Sequence, residues 1–208
     1  TTPQDPSLGA LEGARRVIAQ SDADWSTIKG FIHGTTLATN ALIERRGAPV
    51  ATVTPDGFRD ILEIAYERRY SQYDINLPKP ALMVPRDRAL TIVERMDVHG
   101  RVLIPLDESA VPDVLAQLDA LEVEAVAICL LHAYANPAHE QRLRDLLHAA
   151  RPDLVISLSS DVSPEAREFD RLCTTVANAY IQPLMARYLD RSRGVLRYGR
   201  HHRQAVPD

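Results

Sequence analysis

The chain has 208 residues, of which 45% are hydrophobic and 25% charged, so it is long enough to bury the core of one large domain. Its 24 basic and 28 acidic residues give a formal net charge of −4, which argues against a nucleic acid as its main partner. The two cysteines lack Cys-x-x-Cys spacing, so neither a disulfide scaffold nor a metal site is predicted.

The first residues, TTPQDPSLGALEG, show neither the positive start nor the apolar core of a signal peptide. No apolar run approaches the length needed to span a membrane. We therefore expect a cytoplasmic protein without a membrane partner.

The first third of the chain predicts two helices and two strands. Apolar residues recur at helical spacing from Ser7 to Gln20, which is typical of an amphipathic helix. The run IKGFIHG then predicts a strand, and LATNALIERRG predicts a helix ending at Gly47, a residue suited to a left-handed backbone. APVATVTPDG predicts a second strand closed by a turn at Pro55-Asp56-Gly57.

The middle of the chain is less regular. FRDILEIAYERR predicts a helix, and a proline-rich extended segment follows it through Pro85. ALTIVERMDVHGRVLIPLD predicts a β-hairpin, because two β-rich runs flank His99-Gly100.

Helices and strands then alternate, which predicts an α/β protein with a substantially parallel sheet. The strand VEAVAICLLHA is apolar at consecutive positions, as in a strand covered on both faces. The remaining predicted elements are a helix over Glu108 to Leu121, a helix over Pro137 to Ala150, the strand LVISLSS, and helical segments after Pro164.

The composition changes near the end of the chain, where RSRGVLRYGRHHRQAVPD carries five arginines and two histidines in eighteen residues. Runs of like charge are usually solvated. We therefore expect an α/β domain over residues 1–190 and an exposed or disordered basic tail over residues 191–208.

The stretch HGTT, His33 to Thr36, lies where a predicted strand meets a predicted helix. Such junctions bind ligands in α/β folds, because helix amides and threonine hydroxyls can donate to an anion or a carbonyl. The same residues also suit an ordinary turn with a threonine N-cap, and both interpretations stay open. Neither Gly-x-x-x-x-Gly-Lys nor Gly-x-Gly-x-x-Gly is present.

Two later stretches also follow predicted strands. In LLHAYANPAHE, local structure explains His132 as a strand-end residue and Glu140 as a first-turn acid. In SLSSDVSPEAREFDR, Ser160 or Ser163 could cap a helix opened by Pro164, with Glu165 in its first turn. The charged residues that follow suit either a surface ion network or a substrate-facing role: Arg167, Glu168, Asp170 and Arg171.

Several long blocks together resemble the hydantoinase A/oxoprolinase family, which includes ATP-dependent N-methylhydantoinases, 5-oxoprolinases and subunits of acetone and acetophenone carboxylases. They occur in the family's order from about Thr27 to Leu189. The blocks are HGTTLATNALIERRGAPVATVTPDGFRDILEIAYERR, YDINLPKP, MVPRDRALTIVERMD, AVAICLLHAYANPAHEQRLRDLL and SLSSDVSPEAREFDRLCTTVANAYIQPLMARYL.

The resemblance implies an actin-like ATPase (ribonuclease H-like) lobe, with a mixed sheet flanked by helices. It also implies that ATP with Mg²⁺ phosphorylates an amide or enolate oxygen of a cyclic amide or ketone substrate, and that the activated carbonyl is then hydrolysed or carboxylated. On this basis we expect a catalytic role for His33, Thr35, Thr36 and Asn40, and a substrate-binding role for Ser160, Glu165 and Arg171.

Two departures from the family's pattern are expected to matter. The phosphate turn resembling Asp-x-Gly-Gly-Thr at the family's start is missing, as is the later Gly-Gly-Thr loop, so the lobe looks incomplete at both ends and ATP turnover by this chain alone is not expected. Partners would be further copies of the chain or a hydantoinase B-type subunit. The alternatives are a non-catalytic fragment or assembly subunit, and a subunit of an acetone carboxylase-like enzyme.

Overall fold

A computed structural model describes residues 6–21, 36–66, 71, 73–74, 76–78 and 80–201. The chain divides into two compact units, one of Thr1–Asn40 with Leu184–Asp208 and one of Ala41–Pro183. The predicted strand IKGFIHG lies outside the described residues.

The helices are α1 (Pro6–Ala19), α2 (Leu37–Ile43), α3 (Ile61–Ile64), α4 (Val111–Ala120), α5 (Ala138–Ala150), α6 (Ser159–Val162) and α7 (Glu168–His201). The strands are β1 (Val50–Pro55), β2 (Ala89–Ile92), β3 (Arg95–Met96), β4 (Val102–Ile104), β5 (Ala125–Ile128) and β6 (Val155–Leu158).

A parallel sheet forms the centre of the unit 41–183. Its strand order is β2-β1-β5-β6, and each neighbouring pair is parallel. Within the described residues, antiparallel pairing occurs in the separate β3–β4 ribbon. The predicted alternation of strands and helices therefore produces the expected parallel sheet.

Strand β5 is buried on both faces, as its unbroken apolar sequence predicts. Its four residues are all 0% exposed. Val126 and Ile128 pack in one hydrophobic cluster with α4 and α5, while Ala125 and Ala127 pack in a second with the first part of α7. The sheet is thus covered by helices on both sides, the arrangement typical of parallel sheets.

The predicted β-hairpin is only partly as expected. The first run, Ala89–Ile92, joins the parallel sheet as β2, and the short β3 is the strand that pairs with β4. Gly100 forms the turn with a φ of +77°. Asp97 accepts backbone hydrogen bonds from His99 and Arg101, which stabilise this turn.

The predicted left-handed end of α2 at Gly47 is wrong. Arg45 takes that conformation, with a φ of 56°. The Arg46 and Arg45 amides donate to the Ala41 and Leu42 carbonyls, which is the hydrogen-bonding pattern of a Schellman motif. Gly47 instead lies against the ring of Tyr180, where a Cβ would overlap the ring.

Two other element boundaries differ from expectation. Pro164 does not open a helix: α6 precedes it and α7 begins at Glu168. The backbone of α7 continues as a helix through His201, past the composition change at residue 191. The exposure of the basic tail stays a prediction, as does the division into residues 1–190 and 191–208.

Candidate functional site

The carboxyl ends of the four parallel strands lie at one edge of the sheet. Ligands of open α/β sheets bind at this edge, so the residues that follow each strand are the natural candidates. Ser159 and Ser160 follow β6, Leu130 and His132 follow β5, and Glu94 follows β2. We call this region the carboxyl edge.

Glu140 is a fully buried carboxylate in the first turn of α5. Its Oε1 accepts from the Leu130 amide at 2.9 Å and from the Ser159 hydroxyl at 2.6 Å. Its Oε2 accepts from the Ser160 amide at 2.9 Å and from the Ser160 hydroxyl at 2.7 Å. One side chain thus holds together the segments that follow β5 and β6.

Arg171 of α7 reaches the same segments from the other face of the sheet and is also fully buried. Its Nη2 donates to the Leu130 carbonyl at 2.8 Å and its Nε to the Ser159 hydroxyl at 3.1 Å. Its Nη1 donates to the Glu165 carbonyl at 2.6 Å. The Ser159 hydroxyl therefore connects the buried cation to Glu140, which supplies the compensating charge that a buried ion requires.

Burial raises the pKa of Glu140, while the hydrogen bonds from Ser159, Leu130 and Ser160 act in the opposite direction. Burial also raises the pKa of the nearby Cys129 thiol to about 11. Cys129 is therefore a neutral thiol near neutral pH and is not a nucleophile.

The turn after β5 contains a residue in an uncommon backbone conformation. His132 has a φ of 58°, which is unusual for a residue other than glycine. Its Nδ1 lies 3.2 Å from the Tyr134 hydroxyl, and the Tyr134 ring lies 5.5 Å from the Arg171 guanidinium carbon. The buried Glu140 and Arg171 hold this turn through the two backbone groups of Leu130.

Glu94 is a second buried carboxylate at the carboxyl edge, with a side chain that is 0% exposed. Its Oε2 lies 2.7 Å from the Nδ1 of His139, whose side chain is 12% exposed. Its Oε1 is buried without a hydrogen-bonding partner in the described part of the chain. Burial raises the pKa of Glu94, and His139 and Arg95 oppose that shift.

The three residues predicted to bind substrate lie close together, but their polar groups are largely engaged within the protein. Ser160 and Arg171 belong to the buried network, so the predicted surface ion network is wrong for Arg171. Ser160 does not cap a helix opened by Pro164, because it lies inside α6 and bonds to Glu140. Glu165 contributes its backbone carbonyl, and its side chain is exposed. Their role in binding substrate stays a prediction.

The residues predicted to be catalytic are only partly described. His33 and Thr35 lie outside the described residues. Thr36 and Asn40 are exposed, and the Asn40 amide donates to the Thr36 carbonyl at 2.8 Å at the start of α2. Both belong to the unit of Thr1–Asn40 and Leu184–Asp208, and their catalytic role stays a prediction.

Sequence reasoning missed the two buried carboxylates. Local patterns explain Glu140 as an acid that favours a helix start, and Glu94 as part of an alternating strand. A signal was present for Glu94, which closely follows the apolar strand β2, whereas Glu140 lies on the helix after the turn that follows β5. The hydroxyls and amides that would compensate it come from distant parts of the chain.

Two absences hold for the part of the chain that the structure describes. No group of three or more His, Cys, Asp or Glu side chains is placed to bind a metal ion among those residues. No helix among them is both long and apolar enough to span a membrane.

Residues 1–150 match the model of the hydantoinase/oxoprolinase N-terminal region. The chain belongs to this family. It is 36% identical over 200 residues to caprolactamase subunit alpha of Pseudomonas jessenii, a match that covers 92% of this chain and 28% of that protein. It is 30% identical over 225 residues to 5-oxoprolinase of Saccharomyces cerevisiae, covering 90% of this chain and 17% of that protein. The chain thus spans less than a third of these relatives.

Solved structures show the same fold. The crystal structure of ATP-dependent caprolactamase from Pseudomonas jessenii matches with a TM-score of 0.86 and 33% identity, covering 99% of this chain and 30% of that one. A nucleotide-free acetone carboxylase structure matches with a TM-score of 0.83 and 23% identity over 96% of this chain and 30% of that one, a likeness of fold alone. The predicted fold class, an α/β lobe of the actin-like ATPase type, is confirmed.

Proposed function

We propose that this chain is part of an ATP-dependent hydrolase of cyclic amides, in which phosphoryl transfer to the amide oxygen activates the carbonyl carbon. The observation that carries the proposal is the likeness to ATP-dependent caprolactamase, at 33% identity over 99% of the chain. Amide hydrolysis needs such activation because the amide carbonyl is a poor electrophile, and a phosphorylated oxygen is a far better leaving group.

The carboxyl edge suits the amide better than it suits the phosphates. Arg171 donates to the Leu130 and Glu165 carbonyls and to Ser159, so its donors are engaged within the protein. Glu94 and Glu140 place two buried carboxyl groups in the same region. These described residues do not suit a triphosphate, so we propose that the amide, rather than the phosphates, lies at this edge.

The experiment measures ATP hydrolysis by the full-length protein that contains this chain, together with any subunit that copurifies with it. Hydantoin, 5-oxoproline and caprolactam are each added in the presence of Mg²⁺. The expected result is that one of these cyclic amides increases ADP formation and is itself opened. Equal ADP formation with and without every amide would contradict the proposal.

Thr36 and Asn40 stay candidates for contacting the reactants, and Thr36→Ala tests this within the same assay. Thr39 provides a control, because it is an exposed threonine on α2, the helix that Thr36 directly precedes. We expect Thr36→Ala to lower kcat/KM by about tenfold or more, as for the loss of one hydrogen bond to a reacting group. Equal turnover in the Thr36→Ala and Thr39→Ala proteins would remove Thr36 from the mechanism.

A second candidate is a non-catalytic module of a larger assembly. It is favoured by the absence from the 208 residues of the family's two phosphate loops, the turn resembling Asp-x-Gly-Gly-Thr and the Gly-Gly-Thr loop. Titration calorimetry of the isolated chain with Mg-ATP separates the two, because micromolar binding by the chain would contradict the non-catalytic module. An acetone carboxylase-like subunit would instead consume ATP in the presence of a ketone and bicarbonate.

A further inference from the structure

We propose that His139, oriented by Glu94, is a general base that accepts a proton from the water attacking the amide carbonyl carbon. The inference rests on the proposed function, since it names the residue that activates water in the same reaction. It assigns a catalytic role to His139 and a positioning role to Glu94.

The first support is the geometry of the pair. Glu94 Oε2 lies 2.7 Å from His139 Nδ1. In the proposed arrangement the carboxylate accepts this hydrogen bond, so the neutral imidazole carries its proton on Nδ1. The other ring nitrogen, Nε2, then presents an unshared electron pair. The His139 side chain is 12% exposed, while that of Glu94 is 0% exposed, so the imidazole is the member of the pair that solvent reaches.

The second support is that the pair is held rigidly. Asn136 Oδ1 accepts from the Ala138 amide at 3.0 Å, and Asn136 Nδ2 donates to the Gly100 carbonyl at 2.9 Å. Glu140, the next residue after His139, is fixed by four hydrogen bonds. His139 therefore lies between two anchored residues, a preorganisation that general-base catalysis needs.

The third support is the unpartnered oxygen of Glu94. Burying a hydrogen-bond acceptor without a partner costs free energy. A purely structural role of the Glu94–His139 pair would not explain why this cost is tolerated at Glu94 Oε1. Burial raises the pKa of Glu94, while the hydrogen bond with His139 and the charges of His139 and Arg95 act in the opposite direction and favour the carboxylate.

The proposed step is balanced by proton and electron-pair movements alone. A water O–H bond breaks, and its proton goes to Nε2 of His139. The electron pair of that bond forms the new bond from oxygen to the activated carbon, and the π pair of the carbon–nitrogen double bond in the O-phosphorylated amide moves to nitrogen. The resulting imidazolium is stabilised by the Glu94 carboxylate and later gives its proton to that nitrogen, as the carbon–nitrogen bond breaks and its electron pair goes to nitrogen. The second proton of the attacking water goes to solvent as its oxygen forms the carbonyl of an acyl phosphate, and hydrolysis of this acyl phosphate then releases phosphate.

Three variants of the full-length protein test the inference in the amide-dependent assay. His139→Gln is expected to lower kcat by about a hundredfold or more with little change in KM, the usual contribution of a general base. Glu94→Gln is expected to lower kcat less and to move the acid limb of the pH–kcat profile. Glu108→Gln is the control, because it removes an exposed ion pair with Arg142 of α5 without touching His139.

Wild-type kcat in His139→Gln, with wild-type turnover otherwise present, would overturn the inference and leave the proposed function standing. A lack of amide-dependent turnover in the wild-type protein would defeat the proposed function itself.

The tautomer of the His139 imidazole is tested directly by ¹⁵N NMR of the chain. An Nδ1–H tautomer in the wild type that shifts towards Nε2–H in Glu94→Gln supports the pair, and an Nε2–H tautomer in the wild type overturns it.

Discussion

Buried polar groups give the carboxyl edge its structure at the level of single residues. Glu140 accepts four hydrogen bonds from two separate segments, and Arg171 binds the same segments from the opposite face. Removing one member of such a network costs more than the interaction is worth in isolation, because the remaining groups stay buried without partners. Substituting any one of these residues therefore tests whether the buried network is present.

Glu140→Gln should destabilise the protein by on the order of 2–3 kcal/mol, because an amide nitrogen would face donors that now point to a carboxylate. Urea unfolding measures the change. Glu108→Gln is the control, since its carboxylate is 47% exposed and its ion pair with Arg142 is expected to contribute under about 1 kcal/mol. Equal stabilities of the two variants would show that the Glu140 network is wrong.

Cys129 should resist alkylation in the native protein. Its pKa is raised to about 11 by burial, so the reactive thiolate is scarce at a pH of about 8, and its fraction would grow only as the pH approaches that value. A Cys173→Ser variant isolates Cys129, and iodoacetamide labelling at that pH is followed by mass spectrometry. We expect full labelling in denaturant and almost none in the native state. Rapid native labelling would contradict the buried position.

At the scale of elements, α7 packs closely against the segment before β1, and a glycine makes this close packing possible. Gly47 lies against the Tyr180 ring, and the Ala48 amide donates to the Tyr180 carbonyl at 2.9 Å. The sequence pattern predicts a helix cap at Gly47, whereas the structure needs glycine there because a helix from far along the chain packs against it.

Gly47→Ala should therefore lower stability by about 1–3 kcal/mol, because the new methyl group would overlap the Tyr180 ring. Gly13→Ala is the matched control, since a Cβ at Gly13 of α1 meets no atom within 4 Å and alanine favours a helix. Thermal unfolding should show a lower Tm for the first variant and an equal or higher Tm for the second. A Gly47→Ala protein as stable as the wild type would contradict this packing.

The elements that are best predicted from sequence are those whose signal is local. β5 is apolar at consecutive positions and is a strand buried on both faces, and Ala138–Ala150 is a helix almost as expected from Pro137 to Ala150. The β-rich neighbours of β2 in sequence favour a hairpin, but β2 pairs with the distant β1, where Thr52 lies opposite Ala89. Pairing over that separation leaves no local pattern to detect.

At the scale of the whole molecule, the sequence predicts the family and the carboxyl edge but not the interactions at that edge. Ser160 and Arg171 are expected near a strand end, and they do lie there. Glu94, Glu140 and His139 are recognisable only once the fold brings their partners together. The segments that contain His33 and Thr35 lie outside the described residues, so their predicted role stays a prediction.

The most direct test of the proposed function follows the oxygen of the amide substrate. A cyclic amide labelled with ¹⁸O at its carbonyl is converted by the full-length protein with Mg-ATP, and the phosphate is analysed by mass spectrometry. Activation by phosphoryl transfer to that oxygen predicts ¹⁸O in the released phosphate. Label confined to the carboxylate of the opened product would contradict the proposed mechanism.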